Sequence, residues 1–235
     1  MATTATRLRS LTLYSAPFSD CSARVRIALR LKNISAVPVT IEQVDTRAFE
    51  HRTSPYLALN PNATVPTLIV ECDPDTGSEH SHVTMITQSL AMLDFLENTF
   101  PNPALLPPPA DDQARARVME LVSLVAADIQ PPQSTRIREM ITKEFKGDGN
   151  LWARGVFDRG LTVYENLLAR GPNSRYSVGD QVTLADICLV PVVQLGLRFG
   201  IETEKWPRIM RVVEECWKMD AFKYGGLGEN GNFGP

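Results

Sequence analysis

A proline-rich segment near the middle of the chain constrains the fold more than any other feature. The segment FPNPALLPPPA, residues 100–110, contains five prolines. Proline has no backbone N–H and a fixed φ, so neither a helix nor a central strand is expected there. The apolar pattern also changes across it. The sequence therefore predicts a linker between two domains, at residues 7–100 and 111–225.

The residues before this linker predict a mixed α/β domain. Leu11–Tyr14 is a short strand-like run, and the apolar spacing from Cys21 to Lys32 is helical. The predicted strands are 11–14, 37–44, 67–71 and 82–86, and the predicted helices are 21–32, 54–59 and 88–98. This βαβ, short helix, ββ, α order is that of a thioredoxin-like domain.

The residues after the linker show helical periodicity and no convincing strand. The predicted helices are 112–129, 151–169, 183–199 and 207–219. The glycine-rich tail 225–235 is predicted to be irregular. The expected fold class is therefore α/β plus all-α, a thioredoxin-like domain followed by a helical bundle.

Composition narrows the class of protein. The chain has 235 residues and a formal net charge of −3, which gives no reason to expect a nucleic-acid or membrane partner. The N-terminus lacks the apolar core of a signal peptide, and no run approaches the roughly 20 apolar residues of a membrane span. Four scattered cysteines without a C-x-x-C pair argue against a disulfide framework or structural zinc. We expect a cytoplasmic protein without a metal, and a small acidic substrate would need a local cationic site.

The segment Ser19-Asp20-Cys21-Ser22 opens the first predicted helix. A helix N-terminus offers free N–H groups and a partial positive potential, which can stabilise a nearby thiolate. A serine hydroxyl can also donate a hydrogen bond to the sulfur of a bound thiol. The alternative is that Ser19, Asp20 or Ser22 only caps the helix.

Two further segments have functional and purely structural interpretations. Val65-Pro66 precedes a predicted strand, where a cis proline would leave the backbone of Val65 open to an extended peptide, and a trans proline would simply begin the strand. Gln88-Ser89 opens the last helix of the first domain. The serine hydroxyl and the helix N–H groups suit a carboxylate, whereas capping alone would also explain the serine.

Together these segments resemble a known family. SDCSARVRIAL, LNPNATVPTL and ITQSLAMLDFLE occur in order within the predicted frame, and AADIQPPQ, VGDQVTLADICLVP and QLGLRFG follow in the second domain. The set resembles the zeta class of glutathione transferases, which contains the maleylacetoacetate isomerases. The resemblance extends from about Leu11 to Phe222.

The resemblance implies a role for each matching residue. Ser19 would donate a hydrogen bond to the glutathione sulfur, and Cys21 would line the same pocket. Val65, with Pro66, would pair with the glutathione backbone. Gln88 and Ser89 would hold its γ-glutamyl end. Three further positions are implied in the second domain: Gln133 near the cleft, Arg198 for a substrate carboxylate, and a structural capping box at Thr183–Asp186. The family forms dimers, so a homodimer is also implied.

The activity that the resemblance implies is glutathione-dependent cis–trans isomerisation of a conjugated, carboxylate-bearing double bond. A conjugating transferase and an isomerase recruited to a biosynthetic pathway are the alternative enzymes. Thiol exchange at Cys21 is disfavoured because no resolving cysteine accompanies it. A glutathione-binding module without turnover is the non-enzymatic alternative.

Several positions depart from the family pattern. Asp20 replaces the second serine of the Ser-Ser-Cys motif, and Ala23 replaces a bulky aromatic residue. An ionised Asp20 beside the bound sulfur would raise the thiol pKa, whereas Asp20 could instead turn away as a cap or shuttle a proton. Ala63 stands where the family often has a long polar residue. His80 and His82 form a His-x-His that could bind a metal, although a polar turn is the simpler interpretation.

Overall fold

A computed structural model describes residues 8–73 and 82–228, and its N-terminal part has the predicted thioredoxin-like fold. The elements are β1 (Leu8–Ser15), α1 (Asp20–Lys32), β2 (Val39–Gln43), a 3-10 turn (Glu50–Arg52), α2 (Ser54–Leu59), β3 (Thr67–Cys72), β4 (His82–Ile86) and α3 (Ser89–Thr99). The strands form one sheet in the order β2-β1-β3-β4. β1 is parallel to β2, whereas the β1–β3 and β3–β4 pairs are antiparallel.

The sheet and α1 share a core that the apolar pattern dictates. Leu11 and Leu13 are fully buried in β1, and their neighbours Thr12 and Tyr14 are partly exposed. This alternation is the period of two that a strand imposes on its side chains. The first and second predicted site segments meet here, because Tyr14 near the end of β1 pairs with Thr67 of β3.

The linker between α3 and α4 is held in place by hydrogen bonds from both halves of the chain. The Glu97 carboxylate accepts from the N–H of Leu105 at 3.0 Å and from Lys32 Nζ at 2.5 Å. The carbonyl of Leu105 accepts from the N–H of Leu184 at 2.9 Å. The prediction of a connection without helix or strand is confirmed, whereas the domain limits 7–100 and 111–225 stay a prediction.

The C-terminal part is helical, as predicted. Its elements are α4 (Asp112–Ser123), a π-helical turn (Leu124–Ile129), α5 (Gln130–Gln133), α6 (Thr135–Lys143), α7 (Gly149–Ala169), α8 (Leu184–Arg198), α9 (Pro207–Trp217) and α10 (Asp220–Gly225). In the ranges 8–73 and 82–228, every helix is too short or too polar to cross a membrane.

The prediction of one regular helix over 112–129 is wrong in its second half. The α-helical bonding ends at Ser123, and the following turn is π-helical, with the N–H of Gln130 donating to the carbonyl of Val125. Pro131 and Pro132 follow directly and have no N–H to continue the α-helical ladder. The wider turn is the local solution that the chain adopts before them.

Other differences concern the ends of elements. The strand predicted over 37–44 is limited to Val39–Gln43. Helix α6 was not predicted, although the spacing of Ile137, Met140 and Ile141 is the signal that could have found it. Helix α10 was also missed, and the predicted irregular tail begins within the described residues only at 226–228. Its remainder lies outside the described residues.

Arg26 ties the C-terminal segment to the loop between β1 and α1. Its buried guanidinium donates to Ser15 Oγ at 2.7 Å and to the carbonyls of Ala16 and Gly226 at 2.9 and 2.7 Å. It also donates to the carbonyls of Pro17 and Gly225 at 3.2 and 3.0 Å. Position 225 requires glycine, because a Cβ atom there would lie 2.9 Å from the backbone of Ile27 in α1. The end of the second part is thus fixed against the loop that precedes Ser19.

The capping box at the start of α8 is present as predicted. The fully buried Asp186 carboxylate accepts from the N–H groups of Ser177 and Thr183, both at 2.8 Å, and from Thr183 Oγ1 at 3.1 Å. These bonds satisfy donors that would otherwise be buried without partners.

We expect Asp186→Ala to lower the free energy of unfolding by about 3 kcal/mol, because it removes a buried acceptor from three donors. Asp186→Asn should lose less, since one acceptor oxygen remains. Urea denaturation measures both effects. Asp158→Ala is the control, because Asp158 is an exposed partner of Lys205 and should change stability little. Equal losses for Asp186→Ala and Asp158→Ala would contradict the structural role.

Candidate active site

Ser19 is the N-cap of α1. Its backbone is extended, with φ −91° and ψ 119°, and its Oγ accepts from the N–H of Ser22 at 3.1 Å. The capping interpretation is therefore correct. It does not exclude the functional one, because a hydroxyl that accepts through a lone pair can still donate its proton. The half-buried Ser19 hydroxyl can donate to an anion placed at the positive end of the helix.

Asp20 turns into the protein. It is 4% exposed, its Oδ1 accepts from the N–H of Cys21 at 2.9 Å, and its Oδ2 lies 3.9 Å from Nη2 of Arg24. Burial raises the pKa of Asp20, and the Arg24 charge opposes that rise. Of the orientations that the sequence left open, the structure shows a buried carboxylate paired with a cation.

Cys21 is a neutral thiol in this environment. Burial, followed by the charge of Asp20, raises the pKa of Cys21 to about 12. The charge of Arg24 opposes the rise, and a hydrogen bond with Ser89 opposes it less. A thiolate is the reactive form of cysteine, so this environment does not favour thiol exchange. The half-buried side chain is suited to lining a pocket.

Arg24 lies within the candidate site, and the motif analysis missed it. It is only 2% exposed, and its Nη1 donates to Ser89 Oγ at 3.4 Å. Within the described residues, Arg24 Nε and Nη2 and Asp20 Oδ2 have no hydrogen-bond partner. Buried polar groups are almost always paired, so unpaired ones are expected mainly at functional sites. An arginine inside the apolar pattern of α1 was the signal in the sequence.

The Val65–Pro66 peptide bond is cis. Val65 lies outside every helix and strand, and within the described part of the chain its N–H and C=O make no hydrogen bond to the protein. An extended peptide could therefore pair with this residue as an added strand. The prediction of an open backbone position at Val65 agrees with this geometry, and its role in binding stays a prediction.

A polar network fixes the turn before Val65. Asn60 Nδ2 donates to the carbonyl of Thr64 at 2.8 Å and to Thr67 Oγ1 at 3.1 Å. The Tyr56 hydroxyl donates to the same carbonyl at 2.7 Å. Ala63, where the family often has a long polar residue, has a left-handed φ of 53°. The network holds the turn from its buried side.

Gln88 and Ser89 open α3 as predicted. Gln88 is the exposed N-cap residue, and its side chain makes no capping hydrogen bond. Ser89 is 7% exposed and faces Arg24 and Cys21 of α1. The hydrogen bond between Arg24 and Ser89 therefore joins the first and third predicted segments.

Arg198 approaches the site from the second part of the chain. It is the last residue of α8, and its guanidinium carbon lies 4.1 Å from the ring centroid of Phe18. Phe18 directly precedes Ser19, so the predicted sulfur ligand and the predicted carboxylate ligand lie close together. Burial lowers the pKa of Arg198, and the charge of Arg47 lowers it further.

Gln133 is placed less directly. It is 2% exposed at the end of α5, and its backbone carbonyl accepts from Arg138 Nε at 3.1 Å. The Arg138 guanidinium lies 4.7 Å from the ring centroid of Phe199, the residue after Arg198. These contacts connect Gln133 through Arg138 to the residue after Arg198, and the contact of Gln133 with glutathione stays a prediction.

The predicted metal alternative rests on residues that the structure describes only in part. His82 begins β4, with Nε2 3.3 Å from Thr84 Oγ1, whereas His80 lies outside the described residues. Across residues 8–73 and 82–228, no group of three or more His, Cys, Asp or Glu side chains has the arrangement of a metal site.

Known proteins share both the sequence and this fold. Residues 13–104 match the glutathione S-transferase N-terminal domain model, and residues 153–219 match the C-terminal domain model. A maleylacetoacetate isomerase from Emericella nidulans is 42% identical, over 92% of this chain and 90% of its own.

Two solved structures agree with these matches. A bacterial zeta-class maleyl pyruvate isomerase is 37% identical, with a TM-score of 0.80 over 92% of this chain and 96% of its own. A maleylacetoacetate isomerase from Anaeromyxobacter dehalogenans, with dicarboxyethyl glutathione and citrate in its active site, is 33% identical. Its TM-score is 0.81, covering 98% of this chain and 100% of that one.

A thioredoxin-like part followed by a helical part is the architecture of a two-domain glutathione transferase, and the two matching domain models fall on these two parts. The chain belongs to the glutathione S-transferase family, and within it to the zeta class together with the maleylacetoacetate isomerases.

We expect Arg24→Met to lower the free energy of unfolding by about 3 kcal/mol, because it leaves the buried Asp20 carboxylate without its cation. Asp20→Ser should be destabilising for the converse reason. The double variant should recover most of either loss, since neither charge then remains buried. Urea denaturation of all four proteins gives the coupling energy, and simple additivity of the two losses would show that the charges do not interact.

Proposed function

We propose that this protein is a glutathione-dependent cis–trans isomerase acting on a conjugated double bond that carries a carboxylate. The observation that carries the proposal is the position of Arg198 over Phe18, the residue before Ser19. A sulfur ligand and a carboxylate ligand are thereby adjacent, on elements from the two halves of the chain. This is the pair of functions that such an isomerase requires.

The residues present fit glutathione. Val65 offers an unpaired backbone N–H and C=O to an extended peptide. Ser89 lies at the N-terminus of α3, where N–H groups suit a carboxylate, and Gln88 is exposed beside it. Ser19 stands at the N-terminus of α1, where a sulfur anion would be stabilised. One solved relative contains glutathione in its active site and another contains glutathione with malonate, which supports the same assignment here.

Glutathione, when bound, supplies a thiol that adds to the conjugated double bond and leaves again after rotation about the resulting single bond. Ser19 donates a hydrogen bond to the sulfur, and the N–H groups of α1 add positive potential. Asp20 does not cancel this potential fully, because its carboxylate turns toward Arg24. Arg198 holds the substrate carboxylate through its planar set of donors.

Ligands of the solved relatives support an acidic substrate. One maleylacetoacetate isomerase contains dicarboxyethyl glutathione and citrate, and another contains malonate with glutathione. Dicarboxyethyl glutathione joins a small dicarboxylate to the glutathione sulfur. A related sulfur and carboxylate arrangement in this chain would accept the same type of ligand.

A conjugating transferase is the second candidate, favoured by the composition of α1. Ala23 is fully buried where the family has a bulky aromatic residue, and Asp20 replaces a serine. These changes alter the environment of Cys21 and the sulfur position. We further propose a cytoplasmic homodimer with domains at 7–100 and 111–225, in line with the family resemblance and the absence of a C-x-x-C pair.

The direct test is conversion of maleylacetone, an analogue with one carboxylate, with and without glutathione. We expect isomerisation only with glutathione, and a loss of at least about tenfold in kcat/KM for Arg198→Ala, because a charged hydrogen bond to the carboxylate is removed. Arg154→Ala is the control, since Arg154 is exposed on α7. Tight glutathione binding without conversion of maleylacetone would reject the isomerase assignment. Stable adduct formation instead of isomerisation would favour the transferase.

A further inference from the structure

Arg47 contacts the same aromatic ring as Arg198, that of Phe18. The guanidinium carbon of Arg47 lies 5.2 Å from the ring centroid of Phe18, and that of Arg198 lies 4.1 Å from it. Both arginines are exposed. Arg47 comes from the loop after β2, and Arg198 comes from the end of α8. The two charges are therefore separated by no more than the sum of these distances, and both lie beside the residue that precedes Ser19.

The loop that carries Arg47 is held by specific hydrogen bonds. Asp45 Oδ1 accepts from the N–H of Arg47 at 2.8 Å, and the N–H of Asp45 donates to Glu50 Oε2 at 2.7 Å. The preceding N–H, that of Val44, donates to the carbonyl of Ser15 at 2.9 Å. The start of the loop is thus attached to the end of β1, next to the site. Arg47 is presented from an ordered backbone.

The charge of Arg47 is not neutralised by a close carboxylate. Among residues 8–73 and 82–228, no acidic side chain forms an ion pair with it within 4.0 Å. Asp45 is the acidic residue nearest in sequence. Its carboxylate accepts from the N–H groups of Ala48 and Arg47, which lower its pKa, and the charge of Arg47 adds a smaller effect without an ion pair within 4.0 Å. The charge of Arg47 also acts on Arg198, whose pKa is lowered first by the partial desolvation of its guanidinium and then by Arg47. An exposed cation beside a ligand site, close to a second cation, is stabilised when an anion binds next to it.

We infer that Arg47 is a specificity-determining residue that binds a second carboxylate, so that Arg47 and Arg198 together select substrates with two acid groups. This inference rests on the proposed function, because it places the substrate at the sulfur position beside Ser19. Arg198 takes the carboxylate conjugated to the double bond, and Arg47 takes the carboxylate at the other end. Both guanidinium groups contact the Phe18 ring, at 5.2 and 4.1 Å from its centroid, which keeps both charges close to the residue before Ser19.

The dicarboxyethyl glutathione in a solved relative is the kind of ligand that such a pair would bind. It places two carboxylates close to the glutathione sulfur. A single arginine can satisfy one carboxylate with two parallel hydrogen bonds, which leaves the second without a partner of its own. In this chain Arg47 supplies that partner.

The test is a binding measurement that requires no turnover. Isothermal titration calorimetry compares S-(1,2-dicarboxyethyl)glutathione with S-(carboxymethyl)glutathione, which differ in the number of added carboxylates. The wild-type protein should bind the first at least about tenfold more tightly, the factor expected for a charge-assisted hydrogen bond. Arg47→Ala should remove this preference and leave the affinity for S-(carboxymethyl)glutathione unchanged. Arg47→Lys should keep part of the preference, because it retains the charge without the planar donors.

Arg52→Ala is the matched control. Arg52 is an exposed arginine close to Arg47 in sequence, but its guanidinium lies over Phe49, 4.7 Å from the ring centroid. It has the same charge and should keep the wild-type preference. The preference should also weaken at high salt in the wild-type protein, because both arginines are exposed.

Several results would overturn the inference. They are a preference that survives in Arg47→Ala, an equal loss in Arg52→Ala, an equal weakening of both adducts in Arg47→Ala, or no preference in the wild-type protein. The proposed function fails separately. A wild-type protein that prefers the dicarboxylate adduct but isomerises neither maleylacetone nor a dicarboxylate analogue would reject the isomerase and keep the role of Arg47.

Discussion

The N-terminus of α1 is where the fold and the proposed chemistry depend on one interaction. Ser19 ends the loop from β1, and its Oγ accepts from the N–H of Ser22, which fixes where the helix begins. The other N–H groups of the first turn are left without helical partners, as at every helix start. The serine that stabilises the helix is therefore also the residue proposed to donate its proton to a bound sulfur. If the helix began elsewhere, Ser19 could not serve both purposes.

The surroundings of this helix start keep it in place from several directions. Arg26 joins the loop before Ser19 to the C-terminal segment through five hydrogen bonds, so that the two halves of the chain meet directly at the site. Arg24 and Ser89 join α1 to α3. Phe18 contacts the guanidinium groups of Arg47, in the loop after β2, and of Arg198, at the end of α8. A site assembled from such distant segments depends on the packing of both parts of the chain to bring its residues together.

Much of the first domain could be predicted because its signals are local. The alternation of Leu11 and Leu13, the helical spacing after Cys21 and the proline-rich linker each depend on a few neighbouring residues. The capping box at Thr183–Asp186 is equally local. The π-helical turn was missed because the apolar spacing over 112–129 does not reveal how the prolines at 131 and 132 change the preceding hydrogen bonds.

The family resemblance predicted residues for the site but not their electrostatic partners. Asp20 was ambiguous in the sequence, because its orientation depends on a buried Arg24 one helical turn away. Arg47 gave no signal at all, since an exposed arginine in a loop has no pattern. Its approach to Phe18 depends on the sheet and on Asp45 in the same loop. Contacts between distant segments determine where these charged groups lie, and such contacts cannot be inferred from the local pattern of one sequence.

The measurement that tests the central claim most directly is the pKa of the bound glutathione thiol. It is read from the ultraviolet absorbance of the thiolate as the pH is changed, in the wild-type protein and in Ser19→Ala. A free cysteine thiol has a pKa of about 8.5, and the account predicts a lower value for the bound thiol of the wild-type protein and a clear rise in Ser19→Ala. A bound thiol that titrates like the free one, or one whose pKa does not change in Ser19→Ala, would contradict it.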